Sequence, residues 1–344
     1  MSTSGTSHIH RFDTAKFILI WLIIMCHACC SYLPFPLSNQ WRNGLRFVLL
    51  FFSMPLFAFI SGWFIHPGKI PWSRLLSLLW LCFLFNMLGN VVAIQRGYRH
   101  TIFCVAPVMW YLWVLATCRL CIPKMYKIPG WLVLSFSISW VVCFIPQNCG
   151  THFLGRLTGF LPFFSLGSWI AHSSKAEKFR LWLTSPSSIG FSLVLAIVLL
   201  CSVTVQFLAG YLECHASVIL VNIRHESFGG GCKALVLRVL FQFLICILGV
   251  AFLKILPTFE TLFSKLGRKT LGVYLLHIYI LHLAGACIFH VYYFKSFPAQ
   301  FCFMLMAAMF CVILFLPIIN KILMRISMIP ISLMKIFCPR HCDE

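Results

Sequence analysis

His27 is the one strongly polar side chain in the apolar part of the stretch Arg11 to Cys30, which reads RFDTAKFILIWLIIMCHACC. A neutral imidazole can take and return a proton near physiological pH, so His27 is a candidate general base. Asp13 and Lys16 precede it in a charged turn. On a helix, Lys16 and His27 are roughly 16 Å apart along the axis. Eleven steps of about 100° return to nearly the same face, and Asp13 falls within about 60° of it. A carboxylate and an ammonium at one end of the helix therefore line up with an imidazole well inside it. Ionisable groups within a bilayer are expensive and usually face a cavity, which makes each a functional candidate. The competing reading gives His27 only a helix–helix hydrogen bond.

Other chemistry-bearing residues are scattered later in the chain. Lys69 and Arg74 follow SMPLFAFISGWF, where Pro55 and the pair Ser61-Gly62 suit a kink and close helix packing. Trp110, Tyr111 and Trp113 read as an aromatic belt at a membrane interface. Arg156 precedes Pro162, Phe163, Phe164 and Gly167, and an interfacial arginine can simply snorkel. Tyr274 and His277, three residues apart, share one helix face.

The elements that must position these side chains are membrane helices. Hydrophobic residues make up 61% of the 344 and charged residues only 10%, which excludes a soluble globular domain. Ten apolar runs approach the length needed to cross a bilayer: about 14–33, 44–66, 72–94, 105–122, 130–147, 154–171, 188–212, 234–256, 270–292 and 299–325. The first is not expected to be a cleaved leader, since Pro34 and Pro36 follow it rather than a small-residue cleavage site. Most of the 27 Lys and Arg fall on the N-terminal side of the alternating loops, which predicts ten spans with both termini cytoplasmic. The same bias accounts for much of the +20 charge through anionic headgroups, without nucleic acid. The fold class is thus an all-α polytopic membrane protein. Its divisions are a cytoplasmic segment 1–13, one transmembrane domain 14–326 and a basic tail 327–344. The run Gly229-Gly230-Gly231 lacks the strand-to-helix setting of a phosphate loop and reads as a hinge.

Most of the 18 Cys lie inside apolar runs and behave as small hydrophobes. Neither Cys29-Cys30 nor Cys338 with Cys342 has a second pair at zinc spacing, so no metal is expected.

Taken together, the chain resembles the integral-membrane acyltransferase-3 family, and most of all its fucose 4-O-acetylase-like bacterial branch. The resemblance rests on five segments in order: FDTAKFILIWLIIMCH, FSMPLFAFISGWF, MWYLWVLATCRL, RLTGFLPFFSLGSWI and GRKTLGVYLLH. The family often carries an Arg-x-x-Arg pair after the second helix, where this chain keeps only Arg74, with Lys69 five residues earlier. The resemblance implies transfer of an acetyl or other short acyl group from acyl-CoA, a co-substrate rather than a tightly bound cofactor. The acceptor would be a sugar hydroxyl of a surface polysaccharide or its lipid-linked precursor, at the bacterial inner membrane. It places His27, Asp13 and Lys16 at the catalytic centre, with His27 as base and the other two at the entrance. Lys16, Lys69 and Arg74 would bind acyl-CoA phosphates, while Trp110, Arg156, Tyr274 and His277 would meet the acceptor or the oxyanion. An acyl-His27 intermediate is the alternative to direct transfer. The competing function is export of polysaccharide or lipid-linked sugar. Absence of corresponding broken helices in two halves weighs against it.

Overall fold

The computed structural model describes residues 9–28, 44, 48–49, 53–68, 70–95, 109–144, 152–211, 231–289, 305 and 317–337. Lys69, Cys29, Cys30, Cys338, Cys342, Gly229 and Gly230 lie outside them. Among the described residues the ordered elements are helices, with no strand. In chain order they are α1 His10–His27, α2 Ser53–Trp63, α3 Trp72–Gln95, α4 Trp110–Met125, α5 Trp131–Val141, α6 His152–His172, α7 Glu177–Thr184, α8 Ile189–Tyr211, α9 Gly231–Ile255, α10 Leu262–Gly267, α11 Thr270–Phe289 and α12 Pro317–Phe337.

α1 sits in the middle of the packing. It touches α2, α9, α10 and α11, and its Phe12, Ala15, Leu19, Ile20, Ile23 and Ile24 are all buried. A helix that is apolar on every side belongs inside a bundle, not at its surface. The charged turn expected before the helix is instead its first turns, since α1 begins at His10.

Glycine sets the closest seam. α2 and α6 approach so closely that a Cβ on Gly62 would lie 2.1 Å from the Phe164 carbonyl oxygen, and one on Gly167 would lie 2.1 Å from that of Phe59. Small residues at such seams let membrane helices associate through packing alone. The Ser168 hydroxyl adds a hydrogen bond to the Ile65 carbonyl at 2.8 Å.

Two buried cations hold the bend after α7. Arg11 donates to the carbonyls of Leu256 and Leu183, and Lys254 Nζ donates to those of Trp182 and Ser185 at 2.8 and 2.9 Å. These are end-of-helix carbonyls that helical bonding leaves over. A cation near a helix C-terminus also meets the negative end of its dipole. Burial pushes the Arg11 pKa down from its ordinary value. A positive-inside reading of Arg11 and Lys254 thus misses their structural use.

Two described helices are long and apolar enough to cross a membrane by themselves, Trp72–Val91 within α3 and Arg238–Ile255 within α9. The segments Ser174–Thr184 and Ile189–Val205 pass together but meet at 95°. α12 departs from the expectation of a span ending near 325 followed by a tail, because the helix runs on to Phe337. Its Ile318, Ile322, Met324 and Met328 are exposed beside Lys321 and Arg325, while Leu323 and Ser327 face inward against α3. The helix continues because residues 326–337 keep supplying apolar positions along it.

Candidate active site

The candidate residues separate into two groups at opposite ends of α1. At its N-terminal end, Asp13 is 4% exposed and forms an ion pair with Lys16 at 2.6 Å. Arg268, from the turn between α10 and α11, reaches Asp13 at 3.4 Å and Glu260 at 2.8 Å. Its other contact is His10 Nδ1 at 3.3 Å. Lys16 also lies 5.7 Å from the Phe64 ring centre.

This cluster is built by backbone fit. A Cβ on Gly267 would lie 1.7 Å from the Asp13 carbonyl oxygen, so α10 can rest on α1 only with glycine there. Thr261 and Ser264 cap α10 reciprocally, each side-chain oxygen taking the other's backbone N–H. Arg268 was absent from the sequence-based candidates. Its signal was present in GRKTLGVYLLH, directly after the glycine that fixes the contact.

At the other end, His27 closes α1 and is half-buried. Its ring centre is 5.4 Å from that of His277, which is completely buried. His277 Nδ1 lies 3.0 Å from the Val273 carbonyl and 2.8 Å from that of Tyr274. A carbonyl can only accept, so Nδ1 carries a proton, and in the neutral imidazole Nε2 holds the lone pair. That Nε2 is buried with no hydrogen-bond partner among the described residues. Trp80 Nε1, Trp113 Nε1 and Ser165 Oγ are also buried atoms of this kind among the described residues, so what sets Nε2 apart is the second imidazole, His27, beside it. Tyr274 and His277 share a helix face as expected, and the hydrogen bond between them runs to the tyrosine's carbonyl.

From His277 a series of rings leads outward. Tyr274 is 5.9 Å from His277 and 5.7 Å from Tyr111. Tyr111 shares a hydrogen bond of 2.9 Å with Ser61 and touches Trp110 edge to face at 5.8 Å. The Arg156 guanidinium stands 4.9 Å from the Trp110 ring centre, a favourable cation–π arrangement. Trp110, Arg156, Tyr274, His277 and His27 are therefore brought together. Tyr111 is no belt residue: it is 3% exposed, because α2 and α6 close over it through Ser61 and Phe164.

Arg74 stands apart, exposed in the first turn of α3. Arg119 of α4, also missed from sequence, is within electrostatic range of it. No ion pair to either guanidinium occurs among the described residues. Guanidinium groups without an acid partner suit an anion such as a phosphate.

A family model described as an acyltransferase domain matches residues 9–316. The chain belongs to the acyltransferase-3 family. No curated protein and no solved structure matches it. The matched range contains the acyltransferase's whole candidate site, from His10 and Asp13 at one end of α1 to His27 and His277 at the other. It is a membrane acyltransferase, of a family that generally O-acetylates glycans.

Proposed function

We propose that the protein moves an acyl group, in the first instance acetyl, from acyl-CoA to a sugar hydroxyl of a cell-surface polysaccharide or its lipid-linked precursor. It works in the bacterial inner membrane as a ten-span protein with both termini in the cytoplasm. The observation that carries this reading is the buried lone pair on His277 Nε2 beside the ring of His27.

A hydroxyl is a weak nucleophile until a base accepts its proton during attack. His27 is half-buried and can meet a substrate, so it takes the hydroxyl proton as the oxygen attacks the thioester carbonyl. His277 holds a hydrogen bond from the second imidazole or from the acceptor, orienting the pair. With Nε2 unprotonated, His277 accepts rather than donates, so it does not serve the oxyanion. Arg156 is the cation placed on that side for the task. The tetrahedral intermediate then expels the CoA thiolate, which recovers the proton from the imidazolium. The products are the ester and free CoA, with His27 neutral again. Sugar rings stack well on aromatic faces, which suits the half-buried Trp110, backed by the buried Tyr111 and Tyr274, to the acceptor.

On the donor side, Arg74 and Arg119 bind CoA phosphates, with Lys69 as a further cation. Lys16 is already paired with Asp13, so these two orient the entrance rather than hold phosphate.

Release of free CoA thiol by the purified protein, given acetyl-CoA and mixed bacterial glycan, tests the reading. Release should require the acceptor, disappear in His27→Ala and fall by less in His277→Ala. Absence of release with any acyl-CoA, beside measurable movement of lipid-linked sugar, would replace the transferase with an exporter.

A further inference from the structure

A cavity lies outside this site. It has a volume of about 310 Å³, opens between α2, α6, α7 and α9, and is lined by apolar side chains that include Phe59, Phe163, Trp169, Phe179, Cys246 and Gly249. The α2–α6 seam separates it from the Tyr111 side. Gly62 and Gly167 bring those backbones into direct contact, and Ser168 ties them together. Phe160 and Phe164 face Trp110 and Tyr111, whereas Phe163 faces the cavity. No acceptor bound here could reach His27 through that seam.

A cavity of this lining does not hold water, because nothing in it offers a hydrogen bond. Left empty, its walls would lose their dispersion contacts. In a bilayer the filler at hand is a hydrocarbon chain. The edge of the cavity says what the chain is attached to. Phe179 belongs to α7, a short helix at 95° to α8. Its Leu181 and Trp182 are exposed, as are Lys178 and the preceding Lys175. Apolar and cationic positions on one short helix are the composition of a helix lying at the membrane surface. Arg180 is occupied with the Ala171 carbonyl at 2.8 Å. Lys175 and Lys178 make no ion pair with Glu177, and none with another acid among the described residues.

We propose that this cavity binds one acyl chain of an anionic phospholipid, whose phosphate rests on Lys175 and Lys178. The lipid bridges α7 to the α2–α6–α9 wall. The site depends on the membrane setting of the family and not on the catalytic reading.

Native mass spectrometry of the purified full-length protein tests it, with phosphatidylglycerol or phosphatidylcholine titrated into the detergent. One phosphatidylglycerol should remain bound in preference to phosphatidylcholine. Cys246→Phe, which fills the cavity, should lose that lipid while keeping the wild-type melting temperature in lipid-free detergent. The double variant Lys175→Gln/Lys178→Gln should keep a bound chain but lose the preference, a weakening of roughly tenfold for phosphatidylglycerol. Should Cys246→Phe not fold, alkylation of Cys246 by N-ethylmaleimide in the wild type, located by peptide mapping, gives the same answer: phosphatidylglycerol should slow it. Undiminished lipid retention by a folded Cys246→Phe, or alkylation indifferent to phosphatidylglycerol, overturns the site. Equal affinity for the two lipids overturns the role of the lysines. Acyl transfer enters none of these readings, so either hypothesis can fail alone.

Discussion

The two ends of α1 solve the problem of polar groups among helices in opposite ways. At the N-terminal end an ion cluster forms: Asp13 holds Lys16 and Arg268, and Arg268 holds Glu260. At the C-terminal end the imidazole of His277 is tied down on one nitrogen, and the other has no hydrogen-bond partner among the described residues. A satisfied ion cluster fixes geometry, whereas an oriented and unsatisfied acceptor is available for a proton. The difference teaches that burial and charge alone do not mark a catalytic group. The proposed histidine pair is set apart because its two imidazoles lie side by side, one of them oriented by its own helix.

The strongest way to break this comparison is at the histidines. His27→Ala should lower acyl transfer by about 10²–10⁴-fold, the range for loss of acid–base catalysis. His277→Ala, which removes the group that orients it, should lower transfer by less, and both should leave helical content by circular dichroism unchanged. If activity stays near wild type in both, the lone pair is a packing accident and the two ends are alike. Gly267→Ala attacks the other end. The new methyl meets the Asp13 backbone, so thermal unfolding should report a loss of about 1–3 kcal/mol, as overpacking gives. Transfer should fall with it, because α10 leads directly into α11 and His277. Loss of transfer at unchanged stability would move Asp13 and Arg268 into the chemistry.

A smaller effect sharpens the contrast with cations that have no acid. Arg74→Ala and Arg119→Ala should each raise the KM for acyl-CoA by about tenfold, the worth of one charge-assisted hydrogen bond, while acceptor dependence stays unchanged. An unaltered KM in both places the coenzyme elsewhere. The least effect is expected from Glu260→Gln. Glu260 is 43% exposed, so stability should change by less than about 1 kcal/mol and by less still at high salt. A large, salt-independent loss there would show that the ion cluster is more than a clasp.

Parts of both regions were legible in the chain itself. The pair Asp13 and Lys16 is three residues apart on a helix, so its meeting follows from helical periodicity. The same arithmetic put Lys16 and His27 at two ends of one helix, and Tyr274 beside His277. Arg268 was not legible as a partner of Asp13, because 255 residues separate them and only the fit of Gly267 against α1 brings them together. Arg119 and Arg74 come close for a similar reason, through the packing of α3 on α4. Tyr111 misled because an aromatic run at a helix start looks the same whether it meets headgroups or a neighbouring helix. Ser61 and Phe164 decided the matter.

By itself, the sequence determined that this is a helical membrane protein and named its family, because apolar run length and ordered short segments are properties of the chain read in one dimension. It also determined which residue types could do acid–base work. Tertiary structure decided which of them are spent. Whether a histidine keeps a lone pair, or an arginine meets a carboxylate or another arginine, depends on contacts between segments far apart in the chain. Those contacts are set by where glycines allow two backbones to touch.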